Sequence, residues 1–161
     1  MLGSGLAVLV AAVAPAHAAG TAGPVEAVTI SPLSLVKTDD LDFGTLIAGA
    51  TAGTARINAN TGVRTTTGGV TAAGGTPRRA VFVGVGGSGL LIIVSISPAP
   101  ILSNGSGGTM TSTLNVQGGT GIRLFPGTGV QTFRVGGRLN VGANQQDGNY
   151  TGNFSLTVNY F

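Results

Sequence analysis

Five carboxylates set the limits of what chemistry this chain can perform: Glu26, Asp39, Asp40, Asp42 and Asp147. Beside them stand one histidine, His17, and no cysteine or tryptophan. Asp39, Asp40 and Asp42 are close enough together to suggest a site for a hard cation. Calcium, however, takes about six to eight oxygens from a shaped loop, and three carboxylates do not supply them. Asp42 also alternates outward beside Phe43, so the cluster reads as a polar turn entering a strand. A paired-carboxylate hydrolase would need Asp147 to meet one of the N-terminal acids across the fold, and nothing else in the sequence supports one.

Gly84-x-Gly86-x-x-Gly89 matches the dinucleotide-binding fingerprint as a string. That chemistry needs a helix whose N-terminus receives the pyrophosphate. Leu90 to Ile96 follows instead, rich in Ile and Val, and reads as a strand. No acidic residue stands at the ribose position. The glycines are expected to make a turn. Phe125-Pro126-Gly127-Thr128-Gly129 echoes a cell-wall sorting signal, but it sits mid-chain, and it too reads as a turn. The eight Lys and Arg give a formal net charge of +3. They are scattered, with Arg78-Arg79 as the one doublet and no basic stripe with interleaved aromatics, so nucleic acid is not an expected partner. The expectation is a non-enzymatic protein with no metal and no small-molecule cofactor.

The elements that would position any site begin after residue 18. Leu6 to Ala14 is a short apolar run, and Ala16-His17-Ala18 is an A-x-A cleavage site, so residues 1–18 read as an export signal. The run is too short for a membrane anchor and is broken by Pro15. Cleavage after Ala18 removes His17. An exported chain without cysteine has no disulfide staple, so the core alone must hold the fold. Residues 19–27 read as a flexible extension, and residues 28–161 as one domain.

Across that domain, short alternating or apolar runs are separated by turn signals, and no segment carries a helical period. Val28 to Ile30 and Leu33 to Leu35 alternate around Pro32. Thr61 to Gly75 is Thr/Gly-rich and reads as turns around one or two short strands. Arg79 to Gly84 and Leu90 to Ile96 are the strongest apolar runs, joined by a hairpin-type loop. The second lacks clean alternation, which predicts a strand covered on both faces. Thr132 to Val135 and Arg138 to Val141 read as two pieces broken by a bulge or kink at Gly136-Gly137. About eight to ten short strands of this kind predict an all-β sandwich or barrel.

The most regular pattern closes the sequence. From Tyr150 the even positions read Tyr150, Gly152, Phe154, Leu156, Val158 and Tyr160, with Thr151, Asn153, Ser155, Thr157 and Asn159 between them. This is a strand with one apolar face. An outer-membrane barrel would keep its lipid-facing alternation in phase with the terminal aromatic, and Phe161 is out of phase with Phe154 to Tyr160. A self-contained secreted binding module remains as the other alternative, although it would call for aromatics on exposed loops.

A glycine at Gly148 and a penultimate aromatic at Tyr160, with alternating apolar residues between, resemble the C-terminal signature of chaperone–usher pilus subunits. Ile30-x-Pro32-Leu33-x-Leu35, then Leu41-Asp42-Phe43-Gly44, and Gly142-Ala143-Asn144-Gln145 with Gly148-x-Tyr150-x-Gly152-x-Phe154, look like a family of bacterial exported proteins, domain of unknown function 4402. That family is similar to spore-coat-U-like and pilin-like domains. The resemblance implies an immunoglobulin-like, pilin-like β-sandwich, incomplete, with an exposed edge groove. It implies a subunit of a surface fibre or coat, exported through the inner membrane to the periplasm and then the cell surface, with roles in adhesion or biofilm. A periplasmic chaperone and an outer-membrane usher would be its partners, followed by self-association through β-strand addition. Carried onto this chain, Gly148 would open the last strand. Tyr150, Phe154, Leu156, Val158 and Tyr160 would line the groove or its support, and the Phe161 carboxylate would meet a basic pair on the chaperone. Val25, Val28 and Ile30 would form the donor strand.

Overall fold

The computed structural model describes residues 27 and 29–161. The expected export signal with Ala16 and Ala18, and the expected donor residues Val25 and Val28, lie outside the described residues. Ten strands follow in chain order: β1 (Ser34–Asp39), β2 (Thr45–Ile57), β3 (Arg64–Gly74), β4 (Ala80–Val85), β5 (Leu91–Ile96), β6 (Ile101–Ser103), β7 (Thr109–Val116), β8 (Gly121–Leu124), β9 (Val130–Val141) and β10 (Leu156–Tyr160). No helix occurs among the described residues. The strands form two antiparallel sheets, one of seven strands and one of three in the order β10-β5-β8. The chain is an all-β sandwich.

β9 organises the large sheet. Val135 pairs with Ala80 of β4 and with Val116 of β7, so those two strands lie on opposite edges of β9. Gly137 to Leu139 pair with both β2 and β7, so these are also opposite one another. One edge of β9 is therefore shared end to end by β4 and then β2. The handover falls at Gly136. A Cβ there would lie 2.3 Å from Ile57 O and 2.6 Å from Ala59 N, both backbone atoms. The expected bulge at Gly136-Gly137 is absent: pairing with β7 runs from Ser112↔Leu139 to Val116↔Val135 without a register shift. The glycines mark a close backbone approach rather than an extra residue, a second meaning of strand glycine that sequence does not separate from the first.

Three other expectations are corrected. Thr61 to Gly75 is not a run of turns: β3 spans eleven residues and pairs along the thirteen-residue β2. Its ladder is made of backbone bonds, which Thr and Gly form as well as apolar residues do, so hydropathy hides it. The loop between β4 and β5 is not a hairpin, because β4 pairs with β1 and β9 while β5 pairs with β10 and β8. It carries the chain from one sheet to the other. Finally, β5 is covered on one face only: Ile92 and Val94 are buried, whereas Leu91 and Ile93 are exposed.

The core has two parts. The first lies between the sheets and joins Phe82, Phe133 and Val135 of the large sheet to Ile92, Val94, Leu156 and Val158 of the small one, with Phe125 fully buried. Burying each of these large side chains is worth roughly 1.5–3 kcal/mol before entropy is subtracted. The second part comprises Phe43, Ala55, Ile57, Val70, Leu139 and Val141, and no strand of the small sheet contributes to it. Three arginines close loops around these cores by donating to main-chain carbonyls. Arg64 Nη1 reaches Phe43 O at 2.7 Å, Arg79 reaches Ala59 O and Asn60 O, and Arg123 reaches Gln117 O and Gly119 O.

Candidate functional site

Among the described residues β10 pairs only with β5, and none of them forms a strand along its second edge. Phe161 N–H donates to Leu91 O and Ser97 N–H donates to Ser155 O. Hydrogen-bonded pairs alternate along an antiparallel ladder. Residues 155, 157, 159 and 161 therefore bond β5, and the backbone N–H and C=O of Leu156, Val158 and Tyr160 face the open edge. Their side chains turn inward: Leu156 and Val158 are each 8% exposed, and Tyr160 is half-buried against the first core. The strand thus presents an unpaired row of backbone groups on the same residues that carry its apolar face.

A cavity of about 990 Å³ adjoins the start of this strand. It lies between the inner face of the large sheet and the segment Gln145–Ser155. Leu35, Leu41, Leu46, Leu102, Leu139 and Phe154 supply its apolar walls. Its location follows from the divided core. The second cluster has no opposing strand, and Leu41 is the one side chain packed against both clusters among the described residues.

Tyr160 closes one end of this arrangement. Its hydroxyl donates to Ser31 O at 2.7 Å and accepts the Gly87 N–H at 2.5 Å. The ring tip therefore ties the last strand to the chain entering β1 and to the loop between β4 and β5. Of the dinucleotide-like string, Gly86 is the glycine that lets that loop come so close. A Cβ on Gly86 would stand 2.6 Å from the Tyr160 hydroxyl and 2.8 Å from Leu33 Cδ1.

The remaining sequence-designated residues divide in two. Phe154 lines the groove and meets Phe82 edge-on at 6.1 Å. Gly148 and Tyr150 also line the cavity, but the strand begins at Leu156, so Gly148 does not open it. Instead the chain bridges from Thr151 to Ser103 on its way between sheets. Tyr150 pins this crossing, donating to Gln146 O and accepting from Gln145 Nε2. Gly148 lies against Asn104 with φ of 149°. Phe161 points to the opposite side from the groove and is 75% exposed, and Ile30 is 55% exposed, ahead of β1.

Asp147 lines the same cavity as Asp40 and Asp42, but among the described residues the three form no metal-binding group. Each N-terminal acid has its own local partner. Asp40 accepts from Lys37 Nζ at 2.5 Å, a hydrogen bond that, with the lysine's charge, holds its carboxyl below the usual range. Asp42 Oδ1 accepts the Gly44 N–H at 2.7 Å, the turn expected of it. Leu102 was not singled out from sequence, whereas Leu41 stood in the Leu41-Asp42-Phe43-Gly44 motif and Gly86 in the glycine string read as a turn.

The family described as domain of unknown function (DUF4402) matches residues 33–160, and the chain belongs to it. No curated protein and no solved structure matches the chain.

Proposed function

We propose that this chain is an exported structural subunit whose sandwich is completed by a strand from another chain, laid along β10 and into the adjoining groove. The observation that carries this reading is the coincidence, among the described residues, of free backbone groups and inward apolar side chains on one strand at Leu156, Val158 and Tyr160, beside an open groove of mixed polar and apolar lining. β-Strand addition needs both, since main-chain bonds give affinity and pockets for alternate side chains give register. An unpaired edge of this kind is otherwise a liability that folded proteins cover.

In this reading the domain is of the immunoglobulin-like, pilin-like type. A periplasmic chaperone first occupies the groove, an usher receives the complex, and the N-terminal extension of a neighbouring copy then replaces the chaperone strand. β1 starts at Ser34, so Ile30 is not consumed by the domain's own sheet and is available to a donor strand. Repetition of such a head-to-tail contact does not close and yields a fibre or coat.

Residue-resolved amide exchange tests the reading. In the isolated chain the amides of Leu156, Val158 and Tyr160 should exchange rapidly while those of Thr157, Asn159 and Phe161 are protected. In assembled material the first three should slow by about 100-fold or more. Assembled material in which these three amides still exchange freely would rule out strand addition at β10.

A further inference from the structure

The small sheet has a second apolar face, turned away from the groove. Leu91 pairs with Leu124 and Ile93 with Ile122, directly across β5 and β8. Phe161 stands beside Leu91 on the far side, its N–H donating to Leu91 O. These five residues form two adjacent rows, and their exposures are 48%, 63%, 39%, 54% and 75% for Leu91, Leu124, Ile93, Ile122 and Phe161. Nothing among the described residues packs on them. The face also has no charged side chain. Arg123 is the one charged residue in the three strands, and it lies on the inner side, its guanidinium carbon 6.0 Å from the centre of the Phe133 ring.

We propose that this face is an interface between two copies of this chain, packed sheet against sheet about a two-fold axis. Area and charge both favour a second copy as the occupant. At about 150–250 Å² for an aromatic side chain and somewhat less for Leu and Ile, the five residues leave roughly 500 Å² of apolar surface per copy. That is at the upper end of the largest patch a typical monomer carries, about 300–600 Å². In a two-fold contact the same patch is buried twice, which with the flanking Ser95, Thr157 and Asn159 exceeds the roughly 1,000 Å² expected of a specific interface. No side chain of this face repels its copy, the one charge being the Phe161 carboxylate at the end of a row, and two open sheet faces stack at a spacing of about 10 Å. The contact does not rest on strand addition, because it uses the outward residues of β10 and β5 and leaves the groove untouched.

Sedimentation equilibrium of the chain recovered after export decides the matter, over about 1–200 µM, since interfaces near this area associate from the micromolar range down. A closed dimer is expected. The double variant Ile93→Thr/Ile122→Thr should weaken it by at least about 10-fold, while Val85→Thr, at an exposed valine on the large sheet, should leave it unchanged. A wild-type chain that stays monomeric across this range, including one that instead binds neutral phosphatidylcholine vesicles, overturns the proposal. So does a dimer indifferent to the double variant. Should that variant fail to fold, the absence of native cysteine allows a second measurement. Ile93→Cys should be captured as a covalent dimer by a short bismaleimide much faster than Val85→Cys, and equal rates overturn the proposal.

Discussion

Replacing Tyr160 with Phe isolates what its hydroxyl does, because the ring and its packing on the first core remain. Two hydrogen bonds go, one to Ser31 O at 2.7 Å and one from Gly87 N–H at 2.5 Å. A typical intramolecular hydrogen bond contributes about 0.5–1.5 kcal/mol net, and a half-buried site that water can reach belongs toward the lower part of that range. The pair should therefore be worth about 1–2 kcal/mol, a fall in Tm of about 3–8 °C for a domain of this size. Scanning calorimetry reads the fall. Thermolysin cleavage near Ile30 and Leu33 should accelerate at the same time, since Ser31 loses its tie to the last strand. Gly86→Ala supplies the cross-check. Its Cβ would lie 2.6 Å from the tyrosine hydroxyl, so in the wild-type background it should cost about 1–3 kcal/mol by overpacking. In the Tyr160→Phe background that contact is gone and the cost should drop by about 1 kcal/mol, a departure from additivity expected of touching residues. An unchanged Tm together with strict additivity would refute the claim that the hydroxyl clamps the loop and the first strand.

Gly136→Ala should be far more damaging than its chemistry suggests. The new Cβ meets backbone on both sides, at Ile57 O and Ala59 N, where β9 passes from β4 to β2. A loss above about 3 kcal/mol is expected, read as the shift of a urea midpoint, and a loss under about 1 kcal/mol would mean that the handover has slack. Stability should be nearly flat from about pH 5 to 9, because residues 29–161 hold no histidine or cysteine to titrate there. The acid limb has a definite sign. The folded carboxyl of Asp40 sits below its usual value of 3.8, so its contribution is present above that value and is lost as pH falls through the lower folded one. The Lys37–Asp40 pair is exposed, so Asp40→Asn should move Tm at pH 7 by no more than about 1 °C. Thermal melts across the range check both statements.

The all-β class was legible because turn chemistry and period-two runs agree along most of the chain. β10 was legible in its second half: the alternation was read from Tyr150, but the strand spans only Leu156–Tyr160. β3 was read only as one or two short strands among turns, because Thr and Gly hold a ladder without advertising it in hydropathy. Gly136 and Gly137 were misread for a different reason. A strand glycine that relieves a bulge and one that admits a neighbouring backbone have the same sequence signature, and only the partner strands distinguish them. The candidate site was half legible. Inward Leu156 and Val158 follow from phase alone, but the free edge beside them is a property of topology. The clustering of Asp147 with Asp40 and Asp42 at the groove depends on the crossing from Thr151 to Ser103, a contact between segments 48 residues apart.

β5 shows how one misreading carried information. Its run Leu91 to Ile96 is apolar at nearly every position, which argues for cover on both faces. One cover is the core, through Ile92 and Val94. The other is absent from the described residues, yet the sequence still carries Leu91 and Ile93, with Ile122 and Leu124 opposite them. A solvated sheet face normally reads as polar, as Thr157 and Asn159 do on the neighbouring strand. An apolar row kept in register across two strands is better explained by an intermolecular cover than by chance. Phase then separates the two proposed contacts. Inward positions 156, 158 and 160 belong to the groove edge, and outward positions 91, 93, 122, 124 and 161 to the second face. A substitution in either set should leave the other contact intact, so a subunit is able to join a neighbour along its edge and a twin across its face at once.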